Sequence, residues 1–310
     1  MFFIKILLLR KIYKIKMTQP NYNVLMLSGK GGVGKSTISA AIALHFASKG
    51  KKTLVLSTDP APSLSSIFGM NLSDKISKLK ENLYGTEISG DEIINRWNEK
   101  FGNEIYAVMR AFADVDYSIV EYIGTAPGIE EEFMLDHIME IVKSKKFDIV
   151  IWDTAPMGNT LKLLSMPSKF ITHLNFATKV YTKFYKRNSA KSIYEIIDEW
   201  KVLSEQIIKF LKEEVCLMAV CIPENLAVYQ TEKLLGEFKE HNIMIQKIII
   251  NNVIQKDVCD SKFMLKKAEI QRQYVEKIKN LHKDVAEIPL FEEITEENLI
   301  KISKEIFKDK

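Results

Sequence analysis

"LMLSGKGGVGKSTISAA", residues 25–41, decides the fold. A short apolar run (23–28) enters a glycine-rich turn, and an alanine-rich helical pattern (36–49) leaves it. Gly29, Gly34, Lys35 and Ser36 complete the phosphate-loop pattern G-x-x-x-x-G-K-[ST]. Between a strand and a helix, such glycines let backbone N–H groups turn inward around phosphates. The helix that follows adds the positive end of its dipole. The nucleotide cradle is therefore expected from Gly29, Lys30, Gly31, Gly32, Val33, Gly34, Lys35, Ser36 and Thr37. Lys35 meets the β- and γ-phosphates of ATP, Ser36 offers its hydroxyl to Mg²⁺, and Thr37 can donate to a phosphate.

Lys30 is one lysine more than the pattern requires. In the deviant form G-K-G-G-x-G-K-[ST], this lysine reaches across a dimer to the partner's phosphates. There it neutralises transition-state charge as an arginine finger does. Two carboxylates complete the expected chemistry. Asp59, in "STDPAPSLSSIF" (57–68), ends a second buried strand. Ligands of open α/β sheets bind at that end, and a carboxylate there can deprotonate or orient the attacking water. Asp59 is also an ordinary turn former before Pro60. Asp153, in "IVIWDTAPMGNT" (149–160), ends another hydrophobic strand, as a Mg²⁺-holding carboxylate does. Thr154 to Gly158 read as a loop that senses the γ-phosphate.

Further strands are expected at 52–60, 82–89, 147–156, 215–224, 246–253 and 285–292. Runs apolar on both faces, alternating with helices, indicate a parallel sheet covered on both sides. Strand signals thin out over about 91–142 and again over about 166–214, where amphipathic helical patterns take over. The expected architecture is α/β: a doubly wound, mostly parallel P-loop NTPase sheet spanning 17–310, with a helical subdomain inserted in those two pieces. The last helix, from about Thr295, carries Glu early and Lys late, in keeping with its dipole.

The 310 residues are 46% apolar and 27% charged, with a formal charge of +4. Residues 1–16 hold five cations and no acid, so the body is close to neutral. That argues against nucleic acid as a partner. The same stretch is too short and too interrupted by Lys5 to span a bilayer. It reads as an upstream extension ahead of Met17, or as a basic amphipathic segment on a membrane surface. Cys216, Cys221 and Cys259 form no C-x-x-C pair, which suits a reduced, cytoplasmic setting.

Together, "GKGGVGKST", "STDPAPSLSSIF", "DTAPMGNTLKLLSMP", "VCIPENLAVYQTEKLL" and "IIINNV" resemble the arsenical pump ATPase family, from about Asn23 onward. More closely they resemble its single-unit branch, the ATPases that target tail-anchored membrane proteins. The resemblance implies a cytoplasmic Mg-ATP-hydrolysing homodimer that binds a client's transmembrane helix and meets a membrane or membrane receptor. It implies Lys30 as the cross-dimer lysine, Asp59 as the water-activating residue, and Ser36, Asp59 and Asp153 as the residues that place Mg²⁺. Asn251 matches the adenine-contacting Asn, and Glu224 and Asn225 fall in a loop near the nucleotide. Two departures stand out. The first switch usually reads D-P-A-H-x-L-S-D, and here Pro62 and Ser66 replace His and Asp. Where the eukaryotic branch carries a zinc-binding C-x-x-C, this chain has Ser261 and Met264, so no structural zinc is expected. Candidates for a client groove are Met109, Phe112, Phe133, Met134, Met139, Phe170 and Phe176, though for any one of them core is the better reading.

Two other activities share these motifs. An arsenite-pump subunit usually carries two ATPase halves and a soft thiolate site, whereas this chain has one half and scattered cysteines. A positioning ATPase of the MinD/ParA type shares the deviant loop but lacks so large an insert.

Overall fold

The computed structural model describes residues 22–61, 63–110, 114–126, 128–184, 190–240, 243 and 245–308. The stretch 1–16, Pro62 and Phe112 lie outside them. The chain builds β1 (Val24–Ser28), α1 (Lys35–Ser48), β2 (Thr53–Ser57), α2 (Leu64–Phe68), β3 (Ser77–Lys80) and β4 (Leu83–Glu87). Next come three helices, α3 (Gly90–Arg110), α4 (Ser118–Gly124) and α5 (Ile129–Lys143), and then β5 (Ile149–Asp153). Two long helices follow, α6 (Met157–Phe184) and α7 (Ala190–Glu213). The chain closes with β6 (Val215–Cys221), α8 (Asn225–Glu240), β7 (Ile245–Val253), α9 (Lys262–Lys279), β8 (Val285–Pro289) and α10 (Glu296–Phe307).

The eight strands lie in the order β3-β4-β2-β5-β1-β6-β7-β8. Every neighbouring pair is parallel except β3 with β4. The strands at the middle are buried on both faces because their residues alternate between two apolar layers. Val24, Met26, Leu54, Leu56, Val150 and Trp152 face one layer, beneath α3 to α9. Leu25, Leu27, Val55, Ile149 and Ile151 face the other, against α1 and α10. The sheet is therefore doubly wound and mostly parallel, as expected.

The sequence reading missed β3. Its four residues, Ser-Lys-Leu-Lys, alternate between half-buried and exposed, and no apolar run marks them. It is an edge strand, and the exposed lysines discourage pairing with a further strand. It exists because Leu79 lies over Gly85 of β4, where a Cβ would come within 2.7 Å of Leu79 Cδ1. The second difference is at α6. The sequence suggested a loop to Gly158 and a helical stretch from about Met166. The helix instead starts at Met157 and carries Pro167 inside it, so the loop after β5 is only Thr154–Pro156.

Among the groove candidates, Phe133, Met134 and Met139 are core residues, and Met109 and Phe170 pack on that core. Phe176 is exposed. The α3–α7 core also encloses an ionisable group. Glu132 of α5 is wholly buried, accepts a hydrogen bond from Ser204 of α7, and leaves Oε2 without a partner among the described residues. Burial pushes its carboxyl up to about 7; the Ser204 hydroxyl opposes the rise and the Asp136 charge adds to it. A raised native pKa means stability is lost as pH climbs from the unfolded value through about 7. Glu132→Gln should therefore gain stability over wild type by up to about 3 kcal/mol between pH 4 and pH 8. Urea titrations of both proteins across that range check it, and a pH-independent difference would show that Glu132 keeps an ordinary pKa.

Candidate nucleotide site

The loop between β1 and α1 stands at the carboxyl end of the sheet's central strand. Its shape follows from its glycines. Gly32 and Gly34 have φ of +79° and +87°, in the left-handed region where a side chain is strained. Gly29 is needed for space: a Cβ there would sit 2.2 Å from the carbonyl oxygen of Val220 on β6. At the far end of the loop, Asn251 of β7 donates its side-chain amide to the carbonyl of Val33 at 2.9 Å. The family resemblance gave Asn251 to adenine; in the structure it braces the loop. A strand-end Asn carries no mark of that role, which depends on β7 lying two strands from β1. Lys35, buried in the first turn of α1, points Nζ back over the loop to the carbonyl of Lys30 at 3.4 Å. Ser36 and Thr37 follow it, half-buried, and the Lys30 side chain is exposed.

The carboxylates arrive by register. β2 and β5 are neighbours, with Ser57 opposite Asp153, and β1 places Leu27 opposite Asp153 on the other side. Strand alternation turns Asp153 toward α1. Asp59, two residues beyond Ser57, lies on the adjoining loop. It is half-buried, and its Oδ1 accepts the Ala61 N–H at 3.0 Å. The loop after β5 closes over the same end: Thr154 donates to the Leu27 carbonyl at 2.6 Å, and Pro156 lies 3.8 Å from where a Cβ on Gly31 would be. Glu224 and Asn225 are exposed beyond the end of β6. All the predicted phosphate-loop residues and both carboxylates therefore converge at one rim of the sheet, with Glu224 and Asn225 at its β6 side.

Asp153 is the telling residue. It is fully buried, and neither carboxylate oxygen has a hydrogen-bond partner among the described residues. Burial pushes its pKa up to about 6; the Ser36 hydroxyl and the Lys35 charge pull it down, and the Asp59 charge pushes it up. The Ser36 and Ser39 hydroxyls stand beside it without reaching hydrogen-bond geometry. A buried unpaired carboxylate costs several kcal/mol and persists where something else neutralises it. A hard divalent cation held by Ser36 and Asp153 and by phosphate oxygens fits that donor set.

The thiols do not converge. Cys216 faces one apolar layer and Cys221 the other, on opposite faces of β6. Burial pushes both up to about 12, so neither offers a thiolate at neutral pH. Cys259 lies on the loop after β7 and donates to the Gln255 carbonyl. Ser261 accepts the Met264 N–H at 3.2 Å and so caps α9. Among the described residues no three His, Cys, Asp or Glu side chains are grouped to hold a metal.

The family of anion-transporting ATPases matches residues 22–308, nearly the whole described chain. The chain belongs to that family. Its resemblance to the putative arsenical pump-driving ATPase 2 of Aquifex aeolicus is 31% identity over 277 residues, which covers 86% of this chain and 92% of the relative. The ATPase ASNA1 homolog 1 of Paramecium tetraurelia is 32% identical over 84% of this chain and 83% of its own length. The ATPase ASNA1 homolog of Dictyostelium discoideum is 30% identical over 86% and 83%. As a member of the anion-transporting ATPase family, this protein is an ATPase, and the rim just described is where its sequence motifs meet. Among the described residues no helix is long and apolar enough to cross a membrane.

Proposed function

We propose that this ATPase is a Mg²⁺-dependent homodimeric targeting factor, which shelters the transmembrane helix of a tail-anchored client and releases it at a membrane or membrane receptor. The observation that carries the reading is the short path from site to helices. The loop after β5 is three residues long, and α6 grows directly out of it. A change of that loop with nucleotide state shares its backbone with the helical part, α3–α7, which reads as one subdomain inserted in the two expected pieces. The buried, divided thiols weigh against a metalloid site. Buried Met and Phe candidates leave the groove itself to surfaces such as that around Phe176.

In this reading the loop amides and Lys35 bind the β- and γ-phosphates. Ser36 and Asp153 hold Mg²⁺ beside Asp59, and adenine lies between Asn251 and the Glu224 loop. The metal supplies charge that offsets the developing negative charge on the phosphates. Asp59 accepts a proton from the attacking water. The exposed side chain of Lys30 reaches the other copy's phosphates once two copies close. Lys30→Ala should then lower turnover by at least a hundredfold without weakening ATP binding. Steady-state rates with nucleotide affinity measured in parallel check this, and a fully active monomer would remove the cross-dimer role.

The client reading is tested by purifying the protein with a peptide that bears a C-terminal transmembrane helix, and by assaying ATPase activity with that peptide and, separately, with arsenite. A soluble complex that depends on the helix, with activity indifferent to arsenite, is the expected result. Stimulation by arsenite without peptide capture would instead make the protein a pump subunit.

A further inference from the structure

Trp152 immediately precedes Asp153, and Thr58 immediately precedes Asp59. The indole N–H of Trp152 donates to the hydroxyl of Thr58 at 3.0 Å. The backbone runs the same way: the Thr58 N–H donates to the Asp153 carbonyl at 3.0 Å. The strand that carries one carboxylate and the loop that carries the other are thus joined twice, once through main chain and once through side chains. Alternation explains the geometry. Asp153 points toward α1, so Trp152 points to the opposite face, into the layer beneath α3–α9, where its indole meets Thr58. Trp152 is fully buried there.

The pairing is not a default of buried indoles in this fold. The chain has three tryptophans. Among the described residues the N–H groups of Trp97 and Trp200 are buried without a partner, and the one beside Asp153 is the one that is used. A phenylalanine would fill the same layer, so the nitrogen is what the pairing adds.

We propose that Trp152 is a positioning residue for ATP hydrolysis. Its indole N–H, acting through Thr58, holds the Asp59 loop at a fixed offset from Asp153. Thr58 is the first residue after β2, and beyond it the loop's retained contacts are local: the Ser57 hydroxyl accepts the Asp59 N–H and Asp59 accepts the Ala61 N–H. Without the indole bond, one main-chain bond fixes Thr58 to β5, and a small displacement of a general base is costly in rate. The inference rests on Asp59 as the water-activating residue.

The test compares Trp152→Phe, Thr58→Val, Thr58→Ser and the double variant Trp152→Phe/Thr58→Val in steady-state ATP hydrolysis. Trp152→Phe and Thr58→Val should each lower kcat about tenfold with KM for ATP within twofold of wild type. The double variant should be no slower than either, because both delete one bond. Thr58→Ser keeps the hydroxyl and should restore kcat. Wild-type kcat in both single variants, losses that multiply in the double variant, or failure of Thr58→Ser to rescue would each overturn the proposal. The Thr58 pair decides the matter even if Trp152→Phe fails to fold. Asp59→Asn, run alongside, separates the two levels. If it leaves turnover intact the Asp59 assignment fails, whereas if it abolishes turnover and the other variants are unaffected only the Trp152 inference fails.

Discussion

Asp59→Asn should reduce ATP turnover by about two to four orders of magnitude and leave ATP affinity within a few-fold of wild type. The size comes from what a positioned general base contributes to a hydrolytic step, about 10²–10⁴ in rate. The selectivity comes from geometry. Asp59 Oδ1 accepts the Ala61 N–H, and an asparagine oxygen in the same place accepts it equally well. The loop therefore keeps its turn, while the charge and the basic oxygen are lost. Removing that charge also relieves Asp153, whose pKa the Asp59 carboxylate raises. Nucleotide binding should hold. Single-turnover hydrolysis, with nucleotide binding measured by equilibrium dialysis, separates the two effects. Turnover at the wild-type rate would take Asp59 out of the chemistry.

Gly29→Ala should abolish nucleotide binding and destabilise the protein by about 2–3 kcal/mol, the range for forcing atoms into a filled site. The obstacle is main chain. The added Cβ would lie 2.2 Å from the Val220 carbonyl oxygen and 3.2 Å from Val33 Cγ2. β1 is fixed to β6 by parallel pairing from Val24 to Ser28, and the loop's far end is held by Asn251. Neither side can yield without breaking the cradle. Gly32→Ala is the matched control, because nothing lies within 4 Å of its Cβ and the cost is the left-handed φ alone, about 1–2 kcal/mol. Urea denaturation of the two variants, with ATP binding on each, distinguishes steric exclusion from loss of loop freedom. If Gly29→Ala were no worse than Gly32→Ala, the close approach of β6 would not constrain the loop.

The central sheet was legible in the sequence because parallel strands covered on both sides show as unbroken apolar runs, and because a phosphate loop declares its own flanks. Asp59 and Asp153 were legible for a related reason: each is the first acid at or after the end of such a run. What stayed hidden depends on pairing between distant segments. β3 is polar and is made by Leu79 meeting Gly85. The start of α6 was obscured by the Gly- and Pro-punctuated run Thr154 to Gly158, which reads as loop although the helix already begins at Met157. The brace from Asn251 and the bond from Trp152 to Thr58 arise from strand order, which no local pattern states. Ser261 belongs to an intermediate class. Its replacement of a cysteine was visible, but its hydroxyl's bond to the Met264 N–H appears only with the helix in place.

That bond has a consequence for the conditions the protein can endure. A helix start held by paired cysteines and an ion is lost to a chelator, to peroxide, or to a cell short of the ion. The start of α9 is held by an oxygen accepting from an amide, which none of these reagents attacks. Treatment with a strong chelator should not change how α9 melts.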